Sequence, residues 1–381
     1  GRYCIVFNGE IYNYKLIRSN LELEGVSFST TGDTEVLLKL FIAKGKACLN
    51  DLNGFFAFAI YDQQENTLFL ARDRFGIKPL IYTHDEDKFI FGSEMKSVLA
   101  YGIEKELNYE VLHQYLQLNY IAGENSMLKG VKKLLPGHMM EVKNGKLTVE
   151  KWYQLPKNKI KTAHDYESRK VELAALLETS VQTRFVADVP LGSFLSGGID
   201  SSVVASLAAK HKPDLHTFSI GFADEPYFDE TKYAQLVAKK IGTEHTVFSL
   251  TNNDLYKHLL DILNYIDEPF ADSSAIAVYI LSKETKKHST VALSGDGADE
   301  MFAGYNKHAA FYRMQHLGAT EKMVNALHPL WQVLPKSRNN SITNKFRQLY
   351  RFSSAKNQSP EERYWQWAGF INEQESIALL S

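Results

Sequence analysis

The chain has 381 residues, 44% of them hydrophobic and 23% charged, with a formal net charge of −2. That length allows two or three domains of ~150 residues, and the near-neutral charge gives no electrostatic case for nucleic acid or a membrane surface as partner. Apolar runs such as Phe55–Tyr61 are far shorter than the ~20 residues a membrane-spanning helix needs. Asn8 and Glu10 stand where a secretory signal would need its apolar core. Cys4 and Cys48 form neither a disulfide framework nor a metal-ligand spacing, so a reducing, cytoplasmic setting is expected. Gly1 in place of a methionine, with strand-like residues close behind it, and an aromatic helical stretch shortly before Ser381 give the expectation of an internal segment of a longer protein.

In chain order, Tyr3–Phe7 reads as a buried strand, with Cys4 as a small core residue. Asn8-Gly9-Glu10 follows at its end. Asn8 and Gly9 could offer donors to an oxyanion, and Asp33 in Thr31-Gly-Asp-Thr-Glu35 could take a substrate's α-ammonium. The same residues also read as an Asn-Gly turn and a helix cap. Tyr14–Leu23 and Glu35–Ala43 read as helices stopped by Gly25 and Gly45. Three hairpins follow: Phe55–Tyr61 with Thr67–Ala71, Pro79–Thr83 with Lys88–Gly92, and Met139–Val142 with Lys146–Val149. The last is joined by Asn144-Gly145, a strong type I′ signal. This mixture predicts an α+β domain over residues 1–153 built on antiparallel sheet.

Residues 154–164 are polar and basic and are expected as a linker. From 165 to 381 the rhythm changes. A long helix over Tyr166–Phe185 leads to strand-like Leu191–Leu195, a small-residue loop and a further helix. Strands are predicted over His216–Gly221, His245–Leu250 and Thr290–Leu293, and helices over Glu230–Ile241, Asp254–Ile266 and Ser274–Lys283. The alternation implies a doubly wound parallel sheet with ligands at the carboxyl ends of its strands. Glu300–Ser381 reads as helical, with Tyr364, Trp365 and Trp367 as packing residues. His245 is expected as a strand-edge residue rather than a base.

The loop Ser196-Gly-Gly-Ile-Asp-Ser-Ser202 is a candidate phosphate cradle. Gly197 and Gly198 let backbone approach an anion, and the amides opening the following helix favour negative charge. Asp200 would repel phosphate unless a cation such as Mg²⁺ lay between them. A second strand-to-helix turn, Leu293-Ser-Gly-Asp-Gly-Ala-Asp-Glu300, could face the first across a crevice, so that Asp200 and Asp299 clamp the metal. Ser196, Gly197, Gly198 and Ser201 would then hold the β- and γ-phosphates, Ser294 and Gly295 would lie near the sugar and α-phosphate, and Asp296 near the reacting centre. Neither loop spells a Walker A or a Gly-x-Gly-x-x-Gly fingerprint.

Ser196–Ser202 resembles the PP-loop of ATP pyrophosphatases. Ser294–Glu300 with Phe302, Gly304 and Tyr305 resembles the second signature of asparagine synthetases, and Thr217–Phe222 and Asp267–Ser274 fall between them in family order. Val6–Asn13, Asp51–Asp62, Arg72–Leu80 and Gly92–Lys96 resemble the class II glutamine amidotransferase domain. The resemblance covers nearly the whole chain. It implies an N-terminal-nucleophile-type sandwich followed by a PP-loop domain, with ATP as substrate and Mg²⁺ as cofactor. It implies glutamine bound by Asn8, Gly9, Glu10 and Asp33, with Asn8 and Gly9 also forming the oxyanion hole. It implies ATP held by Leu195 to Gly198, Asp200, Ser201, Ile220, Ser294 and Gly295, metal on Asp200 and Asp299, and Asp296 at the reacting centre. The loop after Asp267 would help form the substrate site, and Arg74 and Lys78 would belong to structural and interdomain surface.

The family's glutaminase uses an N-terminal cysteine whose free amine serves as base. Gly1 is not that residue and Cys4 lies inside a strand, so the nucleophile and a glutamine-gripping arginine are expected upstream of Gly1, and a catalytic lysine downstream of Ser381. Losing a nucleophile costs ~10⁶ in kcat, about 8 kcal/mol, so this chain alone is expected not to hydrolyse glutamine. The resemblance implies ATP-dependent conversion of aspartate to asparagine through β-aspartyl-AMP, with ammonia passed from the first domain to the second. The partners are then glutamine, aspartate and ATP, with no nucleic acid and no membrane, and with a homodimer left open. A related amidotransferase adenylating a sugar acid or peptide, or forming a lactam, is the alternative, with a non-catalytic glutamine or ATP sensor behind it.

Overall fold

The computed structural model describes residues 1–156, 165–187 and 189–380, so most of the expected linker lies outside the described residues. The chain divides into two units. One comprises residues 1–112, 121–174 and 267–269, the other 113–120, 175–266 and 270–381. Among the described residues no helix is long and apolar enough to cross a membrane.

The first unit holds eight strands among its described residues: β1 (Tyr3–Ile11), β2 (Gly54–Asp62), β3 (Thr67–Arg72), β4 (Ile81–His84), β5 (Phe89–Gly92), β6 (Val131–Lys133), β7 (His138–Lys143) and β8 (Lys146–Lys151). They form an antiparallel sheet of order β1-β2-β3-β7-β8 and a smaller one of order β5-β4-β6. Helices α1 (Tyr14–Leu23) and α2 (Asp33–Lys44) cover one face of the larger sheet, and α3 (Met95–Leu99) packs on the smaller. The result is the α/β/β/α sandwich of the N-terminal-nucleophile type.

The alternation within β2 builds two cores at once. Phe56, Phe58 and Ile60 point to the helical side, while Ala57 and Ala59 leave room for Tyr82 of β4 and for Leu80 and Leu134, which flank β4 and β6. Each fully buried phenylalanine contributes about 1.5–3 kcal/mol relative to exposure. Asn144 (φ 52°) and Gly145 (φ 73°) close the β7–β8 hairpin with both central residues left-handed, as a type I′ turn requires.

Strand β1 departs from the sequence reading in two ways. It is buried on one face only: Tyr3, Ile5 and Phe7 pack on the helical core, whereas Cys4 is exposed and Val6 is 61% exposed. The reason is position. β1 is the edge strand, and the core shared by the two sheets draws on β2, β3 and β7 but on no residue of β1. Cys4 is therefore a surface residue and not a core one. The strand also runs through Asn8-Gly9-Glu10 to Ile11, where these three were expected beyond its end. Gly9 pairs with Phe56 in register, and a methyl group on it would collide with the Phe55 carbonyl.

The loop Arg72–Lys78 is organised by one carboxylate. Asp73, 1% exposed, accepts from the amides of Phe75 and Ile77 through Oδ1 (3.0 and 3.1 Å), and from those of Lys78 and Phe56 through Oδ2 (3.0 and 3.2 Å). The Arg72 guanidinium donates to the carbonyls of Lys78, Leu134 and Gly76 at 2.7–2.8 Å. Burial lowers its pKa, and Asp73 opposes that shift. Arg74 donates to the Leu52 carbonyl and lies over the rings of Trp152 and Tyr153.

Helix α4 (Tyr109–Leu118) starts among residues of the first unit and ends among those of the second, as does α5 (Tyr166–Thr183). The second unit's described strands are β9 (Leu191–Phe194), β10 (His216–Phe222), β11 (Glu244–Leu250) and β12 (Val291–Leu293), all parallel, in the order β11-β10-β9-β12. Crossovers run through α6 (Ile199–His211), α7 (Thr231–Ile241), α8 (Asn252–Leu263) and α9 (Ser274–Thr285). This is the predicted parallel-sheet α/β fold. Helix α8 begins two residues before its expected start because Thr251 and Asp254 form a capping box. The rest is helical: α10 (Ala298–Phe302), α11 (Asn306–Gln315), α12 (Ala319–Ala326), α13 (His328–Val333), α14 (Ser341–Ser354), α15 (Pro360–Ala368) and α16 (Glu373–Leu380). Trp367 stacks on Phe352 in a core with Met314, while Trp365 is exposed and donates to Gln117.

His245 lies on the sheet's edge strand. Its Nδ1 is 2.9 Å from Thr217 Oγ1 and its Nε2 3.1 Å from Ser219 Oγ. Burial lowers the pKa of His245, and burial together with the nearby His288 lowers that of His216. Both therefore resist protonation when folded, while the unfolded chain takes up protons as pH falls through about 6.5. The melting temperature of the second unit is expected to hold above that pH and to drop between pH 6.5 and 5, with His245→Gln flattening the slope in pH-resolved calorimetry.

Candidate functional site

β9 and β12 are hydrogen-bonded neighbours, with Leu293 opposite Ser193, so the two glycine-rich turns leave the same end of the sheet side by side. The first turn is tied by its own hydroxyls. Ser196 Oγ lies 2.9 Å from Ser201 Oγ, which accepts from the Ser196 amide at 3.2 Å, and the Gly198 amide donates to Ser196 Oγ at 3.2 Å. Gly197 has φ +84°, and a Cβ there would lie 2.6 Å from the Ala234 amide nitrogen and from Tyr233 Cβ. Only glycine lets the turn pack on the start of α7. Gly197→Ala is expected to cost about 2–3 kcal/mol through the forced backbone and the overpacking, measurable by denaturant unfolding.

The second turn rests on the first. A Cβ on Gly295 would lie 2.7 Å from the Ser201 amide nitrogen and 2.9 Å from the Asp200 carbonyl carbon, so this glycine sits against the opening turn of α6. Ser294 Oγ donates to Asp296 Oδ2 at 2.9 Å. Gly304 donates to the Asp299 carbonyl, and any side chain on Gly304 would collide with the Asp299 carboxylate. Position 304 therefore has to be glycine for Asp299 to keep its place.

Together the turns enclose a cavity of ≈ 420 Å³ lined by Ser196, Gly198, Asp200, Ser201, residues 295–300 and Tyr305. Asp200, Asp296 and Asp299, expected from sequence to act together, all line it, as do Ser196, Gly198, Ser201 and Gly295. Leu195, Gly197, Ser294 and Ile220 lie outside that lining. Leu195 is core, packed on Ala205 and Ala234, and Ile220 is half-buried near the end of β10.

Glu300 and Tyr305 line the cavity but carry no role in the sequence reading. Their signal was the continuation of the acidic run one residue past Asp299, and an aromatic five residues further on, after Gly304. The Tyr305 hydroxyl donates to Glu300 Oε1 at 2.7 Å. That bond lowers the Glu300 pKa. It also pushes the Tyr305 phenol up to about 12, with burial and the charges of Glu300, Asp299 and Asp296 adding to it.

The electrostatics of the lining are one-sided: four carboxylates, Asp200, Asp296, Asp299 and Glu300, and no lysine or arginine. Such a surface repels a polyphosphate unless a cation intervenes. Among the described residues no three potential ligands converge into a complete protein cage. Mg²⁺ is held in another way, by one or two carboxylates with substrate phosphates and water completing the octahedron. The donor set here, hard oxygens in a pair of opposed turns, fits that ion.

In the first unit, Asn8 Nδ2 donates to Ser93 Oγ at 3.0 Å, which joins the β1 motif to the segment after β5. Asp33 opens α2 but does not cap it, since the N-cap is Gly32. Its Oδ2 instead accepts from the Ile11 amide at 3.0 Å, which sets the carboxylate beside Asn8-Gly9-Glu10. Asp267, 172 residues from Met95 in sequence, accepts from the Met95 and Lys96 amides at the start of α3. Cys48 is fully buried and its thiol is pushed up to about 12 by that burial, which makes it inert.

Comparison with known proteins places both halves. The asparagine synthase family profile matches residues 172–376, and that of the glutamine amidotransferase domain matches residues 1–153. Asparagine synthetase [glutamine-hydrolyzing] 1 of Bacillus subtilis is 40% identical over 305 residues, covering 80% of this chain and 48% of that protein. A putative asparagine synthetase [glutamine-hydrolyzing] 2 of Methanocaldococcus jannaschii is 36% identical over 369 residues, covering 94% of this chain and 69% of that protein. The chain thus spans between about half and two thirds of the length of these relatives.

Proposed function

The chain belongs to the asparagine synthase family, and we propose that it carries the ATP site and much of the glutamine site of an enzyme that makes asparagine from aspartate, ATP and glutamine. The observation that carries this reading is the pair of turns at β9 and β12, closed on each other with Asp200 and Asp299 lining one cavity. We assign residues 1–153 to glutamine handling and 165–381 to ATP chemistry.

In this reading the amides that open α6 and the hydroxyls of Ser196 and Ser201 bind the β- and γ-phosphates, the hydroxyls exchanging the bonds they now make within the loop. Ser294 and Gly295 orient the sugar and α-phosphate. Asp200 and Asp299 would hold Mg²⁺, which when bound neutralises triphosphate charge and eases departure of pyrophosphate. A β-carboxylate oxygen of aspartate attacks the α-phosphorus, the bond to the bridging oxygen breaks, and pyrophosphate leaves. Ammonia then attacks the acyl carbon of β-aspartyl-AMP, AMP departs with the acyl oxygen, and a proton is lost. Adenylation is needed because a carboxylate is a poor electrophile. Water must be kept from both steps, since it would hydrolyse the adenylate and protonate the ammonia.

On the glutamine side, Asn8 and Gly9 serve as oxyanion donors, and Glu10 and Asp33 bind the substrate's amino-acid end. Neither cysteine of these 381 residues has the setting of the nucleophile: Cys48 is buried with a raised pKa, and Cys4 is mid-strand and paired with Tyr61. The test is product analysis of the full-length enzyme with aspartate, ATP, Mg²⁺ and ammonium. Asparagine, AMP and pyrophosphate in equal amounts are expected. ADP and phosphate would overturn the adenylation mechanism, and turnover with another acid but not aspartate would reassign the acceptor.

A further inference from the structure

Residues 322–360 contain seven lysines and arginines and no aspartate or glutamate, in a chain whose net charge is −2. Folding gathers part of that charge around α14. Arg347 and Arg351 are four residues apart on this helix, so their Cβ atoms lie about 6 Å apart on one face. Both side chains are held in place by neutral partners. Arg347 donates through Nε and Nη2 to Asn344 Oδ1 (3.2 and 3.0 Å), and Arg351 Nη2 donates to the carbonyls of Gln366 and Trp367 (3.3 and 3.1 Å).

Arg338 precedes the helix and is exposed, and its segment is held against the first turn of α14, where Thr343 Oγ1 donates to the carbonyl of the adjacent Ser337 at 3.3 Å and Asn340 caps the helix by accepting from the Thr343 amide. Burial, and then repulsion by Arg338, lowers the pKa of Arg347 and of Arg351. Lys336 lies over the Tyr350 ring on the same helix. Among the described residues none of these four cations has an ion-pair partner. The arrangement is therefore two preorganised guanidinia with unused N–H groups, a third beside them, and no carboxylate to neutralise any.

We propose that Arg338, Arg347 and Arg351 form a binding site for a small, multiply charged phosphoanion, separate from the acidic cavity at the ends of β9 and β12. Guanidinium forks match the oxygens of phosphate in geometry and charge. The compactness of the cluster favours a small oxyanion over an extended polyanion, which would need a stripe of cations along its length. The site does not depend on the identity of the acid that the enzyme activates.

The probe is inorganic pyrophosphate, titrated calorimetrically into the full chain in EDTA. Without divalent metal, the four carboxylates of the ATP cavity repel it, so binding there is suppressed. Saturable binding is expected, weakened at least tenfold both in Arg338→Gln, an exposed substitution that leaves packing intact, and in the double variant Arg347→Gln/Arg351→Gln. AMP run in parallel separates sources. Competition with pyrophosphate assigns the site to esterified phosphate as well, and its failure restricts the site to the free anion. Absence of saturable binding, equal affinity in Arg338→Gln, or equally tight binding of a hexaglutamate peptide would overturn the proposal.

Discussion

Asp200→Ala and Asp299→Ala are each expected to lower ammonia-dependent asparagine formation by about 10³-fold, or about 4 kcal/mol of transition-state stabilisation. The two residues come from different turns, yet both line one cavity. Removing either leaves one carboxylate of the proposed opposed pair to hold the metal, and leaves triphosphate charge less well matched. The loss should fall mainly on kcat, because the metal's contribution grows as charge builds on the departing pyrophosphate. The double variant should be little worse than either single one, since the pair acts as a unit. Steady-state kinetics on the three variants check this. Additive losses, or single losses under tenfold, would separate the two carboxylates and dissolve the shared site. Neither substitution should unfold the protein, because both side chains face the cavity and not the core.

Asp73→Ala is expected to destabilise the first unit by about 3–5 kcal/mol, a large effect for a single polar side chain. Four backbone amides lose their acceptor at once, and the half-buried Arg72 guanidinium loses its neighbouring charge. Asp73→Asn keeps the shape but replaces one acceptor oxygen with a donor that meets backbone amides, so it should recover little. Denaturant unfolding of the first unit measures both. A loss below about 1 kcal/mol for Asp73→Ala would mean that water or a relaxed loop satisfies those amides, and that the carboxylate does not organise Arg72–Lys78.

Local chemistry is readable from the residues. Asn144-Gly145 demands a type I′ turn and forms one, and Tyr14–Leu23 ends at Gly25 as its pattern requires. The two turns at β9 and β12 are legible as partners because each places small residues between a strand and a helix. Facing is harder to read than existence. The apolar string Tyr3–Phe7 does not announce that β1 is an edge strand outside the second sheet's reach, so its pattern puts Cys4 inside while the fold leaves it outside.

Roles that depend on distant residues are hidden altogether. Asp73 reads as one acid in a charged motif until Phe56 is brought over it by the β2–β3 pairing. Asp267 reads as part of a loop until the fold sets it at the amides of α3. Glu300 and Tyr305 stand within the second signature, but only their mutual hydrogen bond at the cavity wall gives them a place in the site.

Binding of ATP by the full chain, measured calorimetrically with Mg²⁺ and again in EDTA, bears most directly on the idea that an all-acidic cavity accepts a polyphosphate only with a metal between them. The expected result is at least a hundredfold weaker affinity without the metal, and little difference between the two conditions once Asp200 and Asp299 are both alanine. Affinity of unaltered protein that is the same in EDTA as in Mg²⁺ would contradict it.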